Sequence, residues 1–152
     1  MHFSPDGATL GASVGDAKVD IYDVATGELT QSIRAQRYGA VQSLAFSLDS
    51  KTMLSAGNDL RLWDLATGEL LRIYEGHEDV VQAISMRGDG RLIATADNGV
   101  IRLYDPEFTE PQRIIPLAPG GICYQVAFSP DGRHLATANY NGTVYILRLE
   151  DR

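Results

Sequence analysis

One cysteine, one tryptophan and three histidines in 152 residues leave little for covalent or metal chemistry to use. A single cysteine, Cys123, excludes an internal disulfide and a thiolate cluster; its expected place is that of a small buried hydrophobe on a strand. His2, His77 and His134 lie far apart, and neither H-x-x-x-H nor H-E-x-x-H occurs, so there is no zinc signature. The glycines form neither a P-loop nor a dinucleotide fingerprint. Asp6, Asp49, Asp89 and Asp131 each bring one carboxylate to a turn, against the roughly 6–8 oxygens that calcium takes. Their expected job is to close the turn by an Asx-type hydrogen bond. No catalytic residue, metal or cofactor is expected.

Positive charge is scarce as well. Thirteen Lys and Arg face twenty Asp and Glu, for a net charge of −7 and a pI near 4.8. A phosphate-backbone binder needs clustered cations, and the longest approach is Arg34 and Arg37, separated by Ala35-Gln36. Nucleic acid and anionic membrane are therefore not expected partners. No apolar run approaches the roughly 18 residues of a membrane span. Met1-His2-Phe3-Ser4-Pro5-Asp6-Gly7 has neither a basic nor an apolar leader region, and the expected location is cytoplasmic.

What the chain has is repetition. The turn F-S-P-D-G occurs at Phe3 and at Phe128, with degenerate copies at Phe46 and Met86, giving steps of 43, 40 and 42 residues. An aromatic followed by Asp recurs as Tyr22-Asp23, Trp63-Asp64 and Tyr104-Asp105, each step 41 residues, and the fourth slot holds Leu147-Arg148. A-T-G-E-L appears at Ala25 and again at Ala66, also 41 apart. Apolar alternation predicts first strands at Val41–Phe46, Val81–Met86 and Tyr124–Phe128. Second strands are predicted at Thr52–Ala56, Leu92–Ala96 and His134–Ala138. Third strands follow at Leu60–Asp64, Val100–Asp105 and Thr143–Leu149, and a fourth at Leu70–Tyr74. Pro5-Asp6-Gly7, Asn98-Gly99 and Asn141-Gly142 mark hairpin turns. No segment carries a 3.6-residue apolar period, so the fold class is all-β. The units fall at approximately 1–35, 36–75, 76–117 and 118–152.

Gly76-His77, then V-x-x-I-x-M, G-D-G and I-R-L-Y-D, together with Trp63-Asp64, resemble the WD-repeat β-propeller family over essentially the whole chain. The resemblance implies four-stranded blades around a channel, with the F-S-P-D-G turns on one face and the Gly-His loops on the other. It also implies a hydrogen-bonded set of His, strand Ser or Thr, turn Asp and Trp within a blade. His77, Thr95 and Asn98 match that set, with Tyr104 in place of Trp. Trp63 and Ser55 match in the second unit, with Arg37 at the His slot. The first unit retains Asp16, and the fourth has Pro119 and Leu147 at the His and Trp slots. The terminal H-L-A-T-A-N-Y-N-G-T-V-Y-I-L-R-L is similar to the last unit of bacterial WD-repeat arrays, which often follow a signalling domain such as a Ser/Thr kinase.

About three and a half blades are visible, whereas closed propellers take roughly 4–8. Three explanations stand: a C-terminal portion of a longer propeller, a homo-oligomer that completes the ring, or a four-blade ring. The first is preferred because the chain opens inside a strand. The expected function is a non-catalytic scaffold for protein or peptide partners. A regulatory propeller of a larger signalling protein is the alternative, and a propeller-channel enzyme the third reading; the strands Val41–Phe46 and Val81–Met86 offer no convergence of polar residues to support it. Loops on a rigid scaffold carry binding, and Arg and Tyr lead interface hot spots. The resemblance places Gln36-Arg37-Tyr38, Glu78-Asp79, Asp97-Asn98 and Tyr140-Asn141 on the Gly-His face. Arg37, Tyr38, Glu78, Asp79 and Tyr140 are the candidate partner-binding residues.

Overall fold

The computed structural model describes residues 1–117 and 122–149. Fifteen strands in four antiparallel sheets make up its regular structure, with no helix among the described residues. The first sheet holds β1 (His2–Phe3), β2 (Thr9–Val14), β3 (Lys18–Asp23) and β4 (Leu29–Arg34), hydrogen-bonded in that order. The second holds β5 (Ser43–Phe46), β6 (Thr52–Ala56), β7 (Leu60–Asp64) and β8 (Leu70–Tyr74). The third runs β9 (Ala83–Met86), β10 (Ile93–Ala96), β11 (Val100–Tyr104) and β12 (Arg113–Pro116). The fourth has three strands, β13 (Cys123–Phe128), β14 (His134–Asn139) and β15 (Val144–Arg148).

Most strand boundaries follow the alternation, and the deviations have causes. Val41 and Val81 leave their own ladders because neighbours claim their backbones. Ser13 Oγ donates to the Val41 carbonyl (2.7 Å), and the Val81 amide donates to Gly57 O in the sheet before (2.7 Å). Asp105 falls outside β11 because it opens a turn, accepting from the amides of Glu107 and Phe108. Thr143 likewise belongs to the turn before β15, where its hydroxyl donates to Asn141 Oδ1 (2.6 Å). Strands β2, β3, β4 and β12 have no stated bounds in the sequence reading.

The core sits between the sheets. Val19, Ile21, Ile33, Leu44, Phe46 and Trp63 fill the first interface. Leu54, Leu60, Tyr74, Ile84, Ile93 and Tyr104 fill the second, and Ala94, Ile101, Leu103, Val126, Leu135 and Leu149 the third. Each fully buried aliphatic contributes roughly 1.5–3 kcal/mol. All four residues of β10 are buried, because Ile93 faces the second interface while Ala94 and Ala96 face the third. In β15 the pattern alternates instead, leaving Val144 and Ile146 64% and 63% exposed. Four sheets thus share three interfaces, and no buried cluster joins the fourth sheet to the first among the described residues. The architecture is a partial propeller.

The F-S-P-D-G turns repeat one hydrogen-bonded unit. Ser4 Oγ donates to Asp6 Oδ1 (2.6 Å) and accepts the Thr9 amide (2.9 Å), and Ser47–Asp49 and Ser129–Asp131 reproduce it. In the third copy Arg87 Nε donates to Asp89 instead (2.9 Å).

Candidate interaction surface

Antiparallel order puts the turns β2–β3, β6–β7, β10–β11 and β14–β15 on the same rim as the loops entering β5 and β9. The F-S-P-D-G turns lie on the opposite rim. Beneath the first rim is a layer of buried polar side chains. In the third sheet His77 Nδ1 lies 3.2 Å from Asp97 Oδ2, and its Nε2 lies 2.9 Å from Tyr104 Oη. The Tyr104 hydroxyl donates to Glu75 O (2.8 Å). Burial pushes that hydroxyl well above its ordinary pKa, with Arg102 opposing and Asp97 reinforcing, so it stays a neutral donor. Arg102 also pairs with Asp97, and the side chains of His77, Asp97 and Arg102 are all nine-tenths or more buried.

The turn residue of this network is therefore Asp97, not Asn98 as the resemblance implied. Gly99 N donates to Asp97 O (2.7 Å), closing a turn so tight that Asp97 keeps the inward register of β10 while Asn98 is turned outward. Asn98 Nδ2 reaches Asp79 Oδ2 at 3.4 Å. Thr95 also stands outside the network: its hydroxyl donates to Arg102 O (3.4 Å).

In the second sheet Trp63 Nε1 donates to Ser55 Oγ (2.9 Å), and Ser55 donates on to Ala35 O (3.3 Å). Arg37 does not occupy the His slot; Gln36 does. The Gln36 side chain is fully buried and clasps Asp59 by both backbone groups, donating to its O (3.1 Å) and accepting its N–H (3.4 Å). Arg37 is left outside because the adjacent buried position is already filled. Asp16 is also outside any network. It is exposed at a turn where it and Ala17 have φ of 61° and 62°, and it makes no side-chain hydrogen bond among the described residues. Pro119 lies outside the described residues, and Leu147 packs half-buried on the third core cluster. Cys123 is buried, which pushes its thiol pKa up and leaves it unreactive.

The candidate partner-binding residues lie at three places on the rim. Arg37 and Tyr38 are exposed at the seam of the first two sheets, Tyr38 by 65%. Glu78 and Asp79 stand exposed beside Asn98. Tyr140, 67% exposed, stacks edge-on against Tyr124 with centroids 6.1 Å apart. Gln36 and Asp97, expected on the open rim, are buried beneath it.

The inner strands enclose a cleft of about 440 Å³. Contrary to expectation, polar groups do converge there: Gln42, Gln82 and Gln125 line it, one from each of three neighbouring sheets. The signal was in the sequence, since these glutamines recur at 40 and 43 residues. Ser43 and Ser85 also line it, but each hydroxyl accepts a backbone N–H of the next inner strand, from Ile84 (3.3 Å) and Phe128 (3.2 Å). His2 also lines the cleft, and no carboxylate does.

Residues 68–105 and 111–147 match the family model described as WD domain, G-beta repeat. The chain carries WD repeats. Each matched segment begins two residues before the fourth strand of one sheet and runs through the first three strands of the next, so one sequence repeat links two blades. The chain is 33% identical over 144 residues to Protein TOPLESS-RELATED PROTEIN 2 of Oryza sativa subsp. japonica, covering 88% of this chain and 12% of that protein. It is 34% identical over 113 residues to the LST8 homolog of Drosophila melanogaster, covering 72% and 36%. With the guanine nucleotide-binding protein subunit beta of Zea mays it shares 28% over 160 residues, covering 95% and 42%. The chain thus spans less than half the length of each of these WD-repeat relatives. All three are eukaryotic, and the expectation of a bacterial array attached to a kinase finds no support in them. No helix long and apolar enough to cross a membrane occurs among the described residues.

Proposed function

We propose that these WD repeats form a non-catalytic scaffold that holds a protein or peptide partner on the rim bearing Arg37, Tyr38, Glu78, Asp79 and Tyr140. The observation that carries this reading is that the exposed side chains rise from loops fixed from below. Gln36 clasps Asp59, Asn58 Nδ2 donates to Tyr38 O (2.6 Å), and the His77–Asp97–Tyr104 set anchors the loop that carries Glu78. A surface ordered before binding loses less entropy on contact. One similar protein is by its name a subunit of a larger assembly, in keeping with this role.

The test is quantitative affinity capture with the wild-type protein and a variant in which all five residues are alanine, the two matched by circular dichroism. Proteins recovered by the wild type should be lost from the variant; equal recovery would refute the assignment of this rim. A second reading, closure of the ring by a second copy, is favoured by the exposed Val144–Ile146 face. Light scattering on a sizing column decides it: a dimer supports closure, and a monomer at working concentration removes it.

A further inference from the structure

We infer that the seam of the first two sheets is a binding site for an acidic peptide segment, whose carboxylates are held by Lys18, Arg34 and Arg37 beside Tyr38. This rests on the scaffold reading above and gives its partner a chemistry. A hollow of about 470 Å³ opens there, lined by Asp16, Ala17, Lys18, Arg34, Tyr38 and Gly39. Lys18 and Arg34 are directly opposed across β3 and β4, both exposed. Like charges directly opposite destabilise a sheet, so the pair works against folding. Arg37 adds a third exposed cation.

None of the three has an ion-pair partner within 4.0 Å among the described residues. Asp16 lines the hollow and Asp20 stands one row along the same face, where Ser32 Oγ donates to it (2.6 Å). Among the described residues neither lies within ion-pair distance of a cation. The other arginines near this rim, Arg61 and Arg102, are already paired with Asp59 and Asp97. On a chain of net charge −7, three cations without a direct ion pair, gathered in one place, mark complementarity to an anionic partner.

The site is also built. The Arg34 guanidinium donates to Arg37 O (3.4 Å), Asn58 holds Tyr38 O, and the buried Gln36 fixes the root of the loop. Guanidinium forks suit carboxylates, and the Tyr38 ring offers an apolar wall with a polar tip.

The experiment is fluorescence anisotropy of the wild-type protein with a labelled peptide of alternating glutamate and serine, alongside its glutamine counterpart and a phosphoserine version lacking glutamate. The expected result is binding of the glutamate peptide alone among the two non-phosphorylated ones, weakened by salt. In Arg34→Gln/Arg37→Gln the affinity should fall by about tenfold or more, from losing charge-assisted hydrogen bonds. The urea midpoint of Lys18→Gln should be unchanged or higher, since it relieves repulsion. Equal binding of the glutamine peptide, no loss in the double variant, or binding of the phosphoserine peptide only would each overturn the assignment. If the glutamate peptide fails while the five-alanine variant still loses its captured proteins, the scaffold reading stands and the acidic ligand falls. If capture is unchanged as well, both fall.

Discussion

Replacing Asp97 by alanine tests the polar layer most directly. The Asp97 carboxylate is 3% exposed and takes the buried charge of Arg102 on one side and His77 on the other. Arg102 Nε already lacks a partner and its Nη1 would lose the carboxylate, leaving a cation nine-tenths buried with no counter-charge. Removing one member of such a buried pair costs about 3–5 kcal/mol, a large part of the roughly 5–15 kcal/mol by which domains are stable. The neighbouring Asn98→Ala breaks a single exposed contact of 3.4 Å and should cost under about 0.5 kcal/mol. The double variant Asp97→Ala/Arg102→Met removes both charges together, so it should recover part of the loss. Urea unfolding followed by far-ultraviolet circular dichroism reads all three. The reasoning fails if Asp97→Ala costs less than about 1 kcal/mol, or if Asn98→Ala costs as much.

Trp63→Ala empties a buried ring from the first core cluster and removes the bond that Ser55 Oγ accepts; the expected loss is about 3–5 kcal/mol, and a loss below about 1 kcal/mol in the same assay would contradict the packing described. At Gly57 a Cβ would lie 2.6 Å from Ala40 O and 3.0 Å from Gln36 Cδ, so Gly57→Ala should cost about 1–3 kcal/mol. Gly15→Ala, with nothing within 4 Å, is the control and should be near neutral. Asp6, Asp49 and Asp131 have pKa values lowered first by their serine hydroxyls, and Asp23 and Asp64 first by the amides of Thr26 and Thr67. Folded values below unfolded ones mean stabilisation present above about pH 4 and lost as pH falls through the folded values. The urea midpoint should therefore drop on acidification below about pH 4, and a midpoint that rises there would contradict the turn geometry.

The repeat made the sheets legible: β6, β7 and β8 fall on the residues that alternation and spacing assigned. The polar layer was less so, for a physical reason. Asp97 and Asn98 are adjacent, both polar and both at home in a turn, and only the Gly99 N–H to Asp97 O bond decides which points inward. Gln36 was within reach, since it stands 41 residues before His77, the same step as the aromatic anchors, whereas the resemblance put Arg37 at that slot. The opposition of Lys18 and Arg34 depends on strand pairing, with the register shift between Ile21 and Tyr22 in β3–β4, which spacing alone does not give.

That four sheets share three interfaces has a thermodynamic corollary. Stacked units with nearest-neighbour coupling behave as a one-dimensional array, in which an interior member is held from two sides and a terminal member from one. Amide exchange should then be graded around the arc, slowest in β6 and β10 and faster in β2 and β14, with opening that begins at the outer sheets. A partner seated at the seam of the first two sheets would slow exchange in the first sheet most, because that end of the array has the fewest contacts of its own.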